Sequence, residues 1–507
     1  MSSSAWRFSW PLLMGIFGYL FLYFFYHAKA LLRDGDVYWH IAVGQWIFQN
    51  RTVPALDPFS HTMPGAAWTA HEWLSEVVLA AAHQWGGWTL VIAITSVAFA
   101  ATIALLTRAL LRHLEPIYAL LFAALAIAMT AGHVLARPHI LALPFMMIWT
   151  IELVRAGDEG RSPPLWLPLI MMVWANLHGG FTLGIVMAFA FALEALLAAW
   201  QTRRIRACVR SWGIFLLLTV AGSLLTPHGP QGILFTWQVL MESSYALSWI
   251  GEWLSPDFHS LQPLEIWLLG GLALVMFQGL RLPPIRLVLV LGLLHLSLKH
   301  VRYIELLGLL VPLLVAAPFA EQWRRKQRAT QQLEGVDRFF RSLAQPAGQW
   351  AALACLAIVL AVPIWSDRVR PIELPESAVP ALAVKAAQQA GLKGPVLNSY
   401  NWGGYLIYSG IPVAVDGRAD MYGDAFLKEY VEGLTLKTPD SLQKLLDKYQ
   451  IAWTLLEPES SAVRLLDHLP AWRRLYADKT AVVHVRAADA SLPDAGQPPP
   501  RNSSGKP

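Results

Sequence analysis

Charged residues are scarce in this chain: Asp, Glu, Lys and Arg make up 14% of its 507 residues, against 55% hydrophobic ones. With a mean hydropathy of +0.43, that much apolar surface cannot be hidden inside one soluble core, which excludes an ordinary globular enzyme and calls for a bilayer. Cysteine is almost missing too. Cys208 sits in a basic loop and Cys355 in an apolar run, so no disulfide framework holds the fold and the redox compartment goes unreported. The first apolar run, 10–32, is longer than the apolar region of a signal peptide and reads as an uncleaved span. Nor is there an internal repeat of the kind that builds the inverted halves of many secondary transporters. The net charge of +5 does not indicate nucleic acid, because the Arg and Lys residues lie in short loops rather than on one amphipathic face.

What the chain has instead is tryptophan, 23 of them, many at the ends of apolar runs where an indole N–H stays hydrated in a headgroup layer. Apolar runs fall at 10–32, 88–107, 114–133, 138–154, 164–178, 180–200, 211–226, 263–280, 284–299, 301–320 and 349–366. A spanning helix needs about 20 residues, so we expect an all-α polytopic membrane domain over 1–366 with about eleven transmembrane helices. The runs around Pro138, Gly179 and Lys299 are candidates for broken or re-entrant helices.

Positive charge then sets an orientation, because cytoplasmic loops retain Lys and Arg. Arg7, Arg108 with Arg112, Arg155 with Arg161, the group Arg203, Arg204, Arg206 and Arg210, Arg281 with Arg286, and the group Arg324, Arg325, Lys326 and Arg328 occur in alternate loops. The segment 226–263 has no Lys or Arg but carries Glu242, Glu252 and Asp257. The expected arrangement is a cytoplasmic N-terminus, a long first outer loop over 33–87 and an extracytoplasmic C-terminal domain, in the inner (plasma) membrane. Residues 370–486 read as that small soluble α/β domain, with helical patterns at 378–391, 424–434 and 440–449 and strand-like runs at 395–398, 451–456 and 481–486. The tail 487–507 is Pro, Ser, Gly and Asp, a composition that reads as disordered.

Polar residues gather on the outer side. The first loop holds Asp34, Asp36, His40, Asp57, His61, His71 and Glu72; later outer ends hold His133, Arg137, His139, Asn176, His178, Thr226, His228, Lys299, His300 and Arg302. Ionisable groups at membrane depth are costly unless they share a wet cavity, so a common outer pocket is the economical reading. Each residue also has a plainer role: Asp34-Gly-Asp36 can cap the helix starting near Val37, Asp36 and His40 can simply bond each other, Thr69 to Glu72 fits a capping box, and the cations can anchor at the interface. As a set, the carboxylates and imidazoles suit a base or a divalent metal held by Asp36, His40 and His71. Arg137, His178, Lys299, His300 and Arg302 suit a phosphate or pyrophosphate.

The stretch Asp34-Gly-Asp36-Val-Tyr-Trp-His40, a helix to about Asn50, then Asp57-Pro58, resembles the first outer loop of the GT-C superfamily of integral-membrane glycosyltransferases. Those enzymes use polyprenyl-phosphate-linked sugars and place an acidic residue early in that loop. Asn398-Ser-Tyr-Asn-Trp402-Gly-Gly-Tyr405, followed by Val413-Ala-Val-Asp416-Gly-Arg418, is similar to the Trp-Trp-Asp-Tyr-Gly region of the oligosaccharyltransferase catalytic subunit, with Gly403 where the Asp would stand. Alternatively, Gly403-Gly404 makes a tight turn with Trp402 and Tyr405 in a core. No second acidic pair matches between Gly132 and His139.

The resemblance implies a GT-C-like membrane glycosyltransferase that moves a sugar from a polyprenyl-phosphate-linked donor to a protein, lipid or glycan acceptor outside. Asp36 would be the base or metal carboxylate and Glu72 a second catalytic candidate. Arg137, His178, Lys299, His300 and Arg302 would hold the donor phosphate, and Trp402, Tyr405, Asp416 and Arg418 would shape an acceptor groove. A transporter or flippase of a lipid-linked or anionic solute, and a non-catalytic membrane assembly protein, are the rival classes; the first predicts polar residues at mid-span, where only Glu152 and Glu194, near span ends, stand out.

Overall fold

The computed structural model describes residues 5–25, 28–242, 245–327, 335–369, 372–376 and 378–487. The expected tail from Ala487 onward, and the side chains of Glu242, Arg324, Arg325, Lys326 and Arg328, fall outside the described residues, Ala487 itself apart. The chain divides into two compact units, one of residues 1–31, 43–53 and 69–373, the other of residues 32–42, 54–68 and 374–507.

The first unit is helical. Among the described residues, six helices are long and apolar enough to cross a membrane: Trp73–Leu110, Pro138–Asp158, Phe181–Gln201, Ile205–Leu224, Val301–Trp323 and Gln349–Val369. Shorter apolar helices run Trp10–Phe24, Pro116–Ala131, Leu167–Leu177 and Pro263–Gln278, and a further helix spans Pro284–Lys299. Proline opens many of them, at Pro116, Pro138, Pro263 and Pro284, because the first turn needs no N–H from that position. Glycine breaks others. Helix Trp73–Leu110 is interrupted at Gly86 and Gly87, the latter at φ 57°, so the expected helix 73–85 and the run 88–107 are separate pieces. His178 and Gly179 part Leu167–Leu177 from Phe181–Gln201.

Small residues let these helices approach. Gly15 lies against Ala100 and Ala104, Gly18 against Phe99, and Gly308 against Met129. The hydroxyls within the apolar interior satisfy themselves on the preceding turn: Thr95 donates to the Val91 carbonyl, Thr102 to Ala98, Thr107 to Ile103 and Thr130 to Ala126.

The second unit is built around a four-stranded sheet of order β1-β2-β4-β3, with β1 (Val396–Asn398) parallel to β2 (Trp453–Leu456), and β4 (Val482–Arg486) antiparallel to β2 and to β3 (Trp472–Ala477). Helices Ala381–Gln389, Ala419–Leu434, Ser441–Lys448 and Ser461–Leu466 accompany it. Two stretches distant in sequence join this unit. Ser60 bridges to Val413, His61 Nε2 meets the Val396 carbonyl at 3.0 Å, and Thr62 donates to the Ala414 carbonyl at 2.7 Å.

Candidate functional sites in the two units

In the first unit, a polar cluster forms where helix ends meet. Trp73–Leu110 begins just after Glu72, Pro138–Asp158 just after Arg137, and Arg302 and Glu305 belong to the start of Val301–Trp323. A short 3-10 turn, Gly251–Trp253, brings in Glu252. Glu252 joins two arginines: one carboxylate oxygen lies 3.2 Å from Arg137 Nη1 and the other 3.3 Å from Arg302 Nη1. Burial pushes the Glu252 carboxyl up, but Arg137, Arg302 and His133 prevail and hold it down to about 2. The Arg302 guanidinium also lies over the Trp253 ring, 4.2 Å from its centroid.

Glu72 sits beside this pair with a different character. Its Oε1 is 3.4 Å from His178 Nε2 and 3.6 Å from His71 Nε2. Burial is the larger influence and raises its carboxyl to about 7 despite Arg137 and Arg302, with Glu252 adding to the rise. The expected capping box is not formed: Glu72 occupies the N-cap position without a side-chain cap, because the helix starts at Trp73 and the carboxylate turns to the histidines instead. The His178 imidazole is fixed as one tautomer. The Gly180 N–H donates to its Nδ1 at 3.0 Å, which leaves the Nε2 hydrogen facing Glu72. Burial, Arg302, His71 and Arg137 together push the His178 ring well below the usual histidine range, so it is neutral.

A set able to hold a metal lies in the same unit. His133, His139 and Glu305 each offer a ligand atom within 4.8 Å of the others. Glu305 is 5% exposed and its Oε2 has no hydrogen-bond partner, an expensive state for a buried carboxylate that a divalent cation would relieve. Two imidazoles and a carboxylate suit zinc or a similar ion with one position open. Among the described residues this is the one such set, and Asp36, His40 and His71 are not in it. His40 is 1% exposed with its ring against Trp39, and His71 lies over Phe235.

Not every expected cation joins the cluster. Lys299 is exposed at a helix end, and its carbonyl accepts from Ser255 Oγ. His300 is buried, with Nδ1 bonded to the Trp253 carbonyl and its ring against Trp253 and Tyr303, so it braces the turn that carries Glu252. Asn176 is likewise spent on structure: it accepts from Trp73 Nε1 at 2.7 Å and donates to the Met172 and Leu225 carbonyls.

The second unit holds Asp36. Asp34 Oδ1 accepts from the Asp36 N–H at 2.8 Å, so Asp34 caps the helix Asp36–Asn50 as its position suggested. Asp36 Oδ1 accepts from Trp39 Nε1 at 2.9 Å, and a Cβ on Gly417 would collide with the same oxygen. The glycines of Gly403-Gly404 do not make a tight turn. Both lie in helix Gly403–Tyr408, where a side chain on Gly403 would strike the Val415 carbonyl and one on Gly404 the Gly35 carbonyl. Close backbone approach, not turn geometry, is what demands glycine here.

Asp416 and Arg418 are buried and bind each other through two nitrogens of the guanidinium, at 2.8 and 2.7 Å. Arg418 Nη1 reaches Asp57 at 2.7 Å, Tyr422 donates to Asp416 at 2.7 Å, and the guanidinium stacks over Trp68. Trp402 is 2% exposed and belongs to the core, while Tyr405 packs against Tyr38 and Tyr408. These polar groups satisfy one another and fix the 413–418 segment beneath Asp36. Of the four residues expected to shape an acceptor groove, Tyr405 alone keeps partial exposure.

No protein-family model and no curated protein match this chain. Two solved structures of an oligosaccharyltransferase from Archaeoglobus fulgidus, one in the apo form and one, AglB, with an inhibitory peptide and a dolichol-phosphate, each match at a TM-score of 0.52 and 9% identity, over 88% of this chain and 69% of theirs. ArnT from Cupriavidus metallidurans, bound to undecaprenyl phosphate, matches at a TM-score of 0.47 and 16% identity, over 95% of this chain and 99% of that one. The first pair shows a fold shared with that oligosaccharyltransferase, and the expected mostly helical membrane-type chain with a small C-terminal sheet is found.

Proposed function

We propose that this chain is a multi-pass membrane glycosyltransferase that moves a sugar from a polyprenyl-phosphate-linked donor to an acceptor on the extracytoplasmic side. The observation that carries the reading is the pair of arginines, Arg137 and Arg302, gathered on one carboxylate beside Glu72 and neutral His178. Arginine binds phosphate through charge-assisted hydrogen bonds, and Arg302 gives one N–H to Glu252 while the described residues take none of its others. The fold shared with an oligosaccharyltransferase gives the pair a context; on its own it would leave function open.

In this reading an acceptor oxygen or nitrogen attacks the anomeric carbon of the sugar, the bond from that carbon to the phosphate oxygen breaks, and polyprenyl phosphate leaves with the electron pair. Asp36, in the second unit, is the proposed base, its carboxylate held by Trp39 Nε1. Arg137 and Arg302 hold the leaving phosphate, beside the neutral His178 ring whose Nε2 hydrogen faces Glu72. A divalent ion at His133, His139 and Glu305 would supply electrostatic stabilisation of negative charge. The N-terminus would be cytoplasmic and the second unit extracytoplasmic, in the plasma membrane.

The test is transfer from a synthetic polyprenyl-phosphate-linked sugar by the full chain in nanodiscs. Asp36→Asn should abolish transfer while the protein still binds polyprenyl phosphate, and Arg302→Gln should weaken that binding at least about tenfold, the worth of one or two charge-assisted hydrogen bonds. Full transfer by Asp36→Asn would remove the base, and undiminished binding by Arg302→Gln would remove the phosphate site.

A further inference from the structure

The opposite ends of the same helices carry a second feature. A cavity of about 300 Å³ lies where Trp73–Leu110 ends, between Pro138–Asp158 and the later part of Val301–Trp323. One wall is apolar, formed by Ile151, Val154, Leu313 and Ala316. The other is polar, with Arg112, Arg155, Asp158 and Glu159.

The carboxylates of that wall are already committed. Asp158 lies 2.7 Å from Arg286 Nη1, and Glu159 Oε1 2.7 Å from Arg155 Nε, with Arg161 on its other oxygen. Arg112 has no acidic partner among the described residues, and neither has Arg108, one helical turn before it. Burial, Arg155 and Arg108 lower the Arg112 guanidinium from its usual range against the opposing pull of Glu152 and Glu159, neither of which forms an ion pair with it. The two arginines together outweigh the roughly half charge of the helix C-terminus they flank.

We propose that this cavity binds a phosphate carried by a lipid: the headgroup of an anionic phospholipid sits on Arg112 in the cavity wall, with the exposed Arg108 outside the lining adding its charge, and its first acyl carbons lie along Ile151, Val154, Leu313 and Ala316. An apolar wall facing an unpaired guanidinium matches an amphiphile better than a free ion, and basic pockets between membrane helices are recognised sites for anionic headgroups. The site is separate from the Glu72 cluster and independent of the activity proposed above.

The experiment is native mass spectrometry of the full chain released from nanodiscs of phosphatidylglycerol mixed with phosphatidylcholine, with and without inorganic phosphate. The wild type should retain phosphatidylglycerol preferentially. The Arg108→Gln, Arg112→Gln variant should lose that preference by about fivefold for each arginine, while Arg108→Lys, Arg112→Lys should keep it. Equal retention of both lipids by the wild type, or an unchanged preference in the glutamine variant, would overturn the proposal. Displacement by millimolar inorganic phosphate would also overturn it, in favour of a soluble phosphate ligand.

Discussion

Two carboxylates of the first unit lie near the same arginines and end with opposite character, which makes them separable by pH. Glu252, held down to about 2, is ionised across the physiological range, whereas Glu72, raised to about 7, changes charge within it. If Arg137 and Arg302 hold a phosphate, ionising Glu72 places a competing negative charge beside them. Relative to Glu72→Gln, in which only the ligand's own phosphate titrates, the wild type's affinity for polyprenyl phosphate should therefore fall as pH rises from 6 to 8, around that value of about 7. Titration of lipid binding against pH checks this, and an equal slope in both proteins would contradict it. Glu252 carries the opposite stability sign: its folded value lies below its ordinary one, so its contribution is present above about 4.5 and lost as pH drops towards about 2. Melting followed from pH 5 to pH 3 should drop less in Glu252→Gln than in the wild type. In the second unit, Asp57→Asn leaves Arg418 with Asp416 alone, and breaking a buried pair of this kind costs about 3–5 kcal/mol. Thermal unfolding of that variant should report the loss directly. None of these partnerships was legible in the sequence. Asp57 and Arg418 are 361 positions apart, and Glu252 looked like one of several acids in an outer segment until the turn at Gly251–Trp253 placed it between two arginines.

At the scale of elements, apolar runs and punctuating residues carried most of the information. Proline starts, the Gly86-Gly87 break and the helix after Asp34 all follow from local chemistry, and the structure has each of them. Strand β3 was missed because Trp472-Arg-Arg-Leu-Tyr puts two arginines side by side and bulges between Arg474 and Tyr476, which destroys the period of two. The glycines at 403, 404 and 417 were visible as letters but not as contacts, since what they touch lies far away in sequence. Gly404→Ala gives the sharpest check on that contact. A methyl there meets the Gly35 carbonyl, so the loop that carries Asp36 must move, and melting temperature should fall while alanine at the exposed Gly410, a φ 76° position, costs only the smaller local strain.

For the whole molecule, composition alone announced a membrane protein, because no core of one chain could absorb so many apolar residues. The metal set was hidden at this scale. His133 and His139 were noticed among the outer polar residues, but Glu305 lies within an apolar run that reads as a plain span, and only the folded chain brings the three together. If they bind a divalent ion, the purified wild type should carry close to one equivalent by elemental analysis, and Glu305→Gln should carry much less while inserting normally. An unchanged metal content would return Glu305 to the status of a buried acid.

The bridge made by Glu252 has a kinetic meaning. Each arginine already has an anion of the protein's own to hold, so a lipid-linked phosphate bound there as proposed must evict that tethered competitor, which swings back once the spent carrier starts to depart. If the proposed transfer holds, such a built-in rival trades tightness of capture for ease of release, which matters most for a departing phosphate monoester that carries more negative charge than the sugar-linked diester it came from.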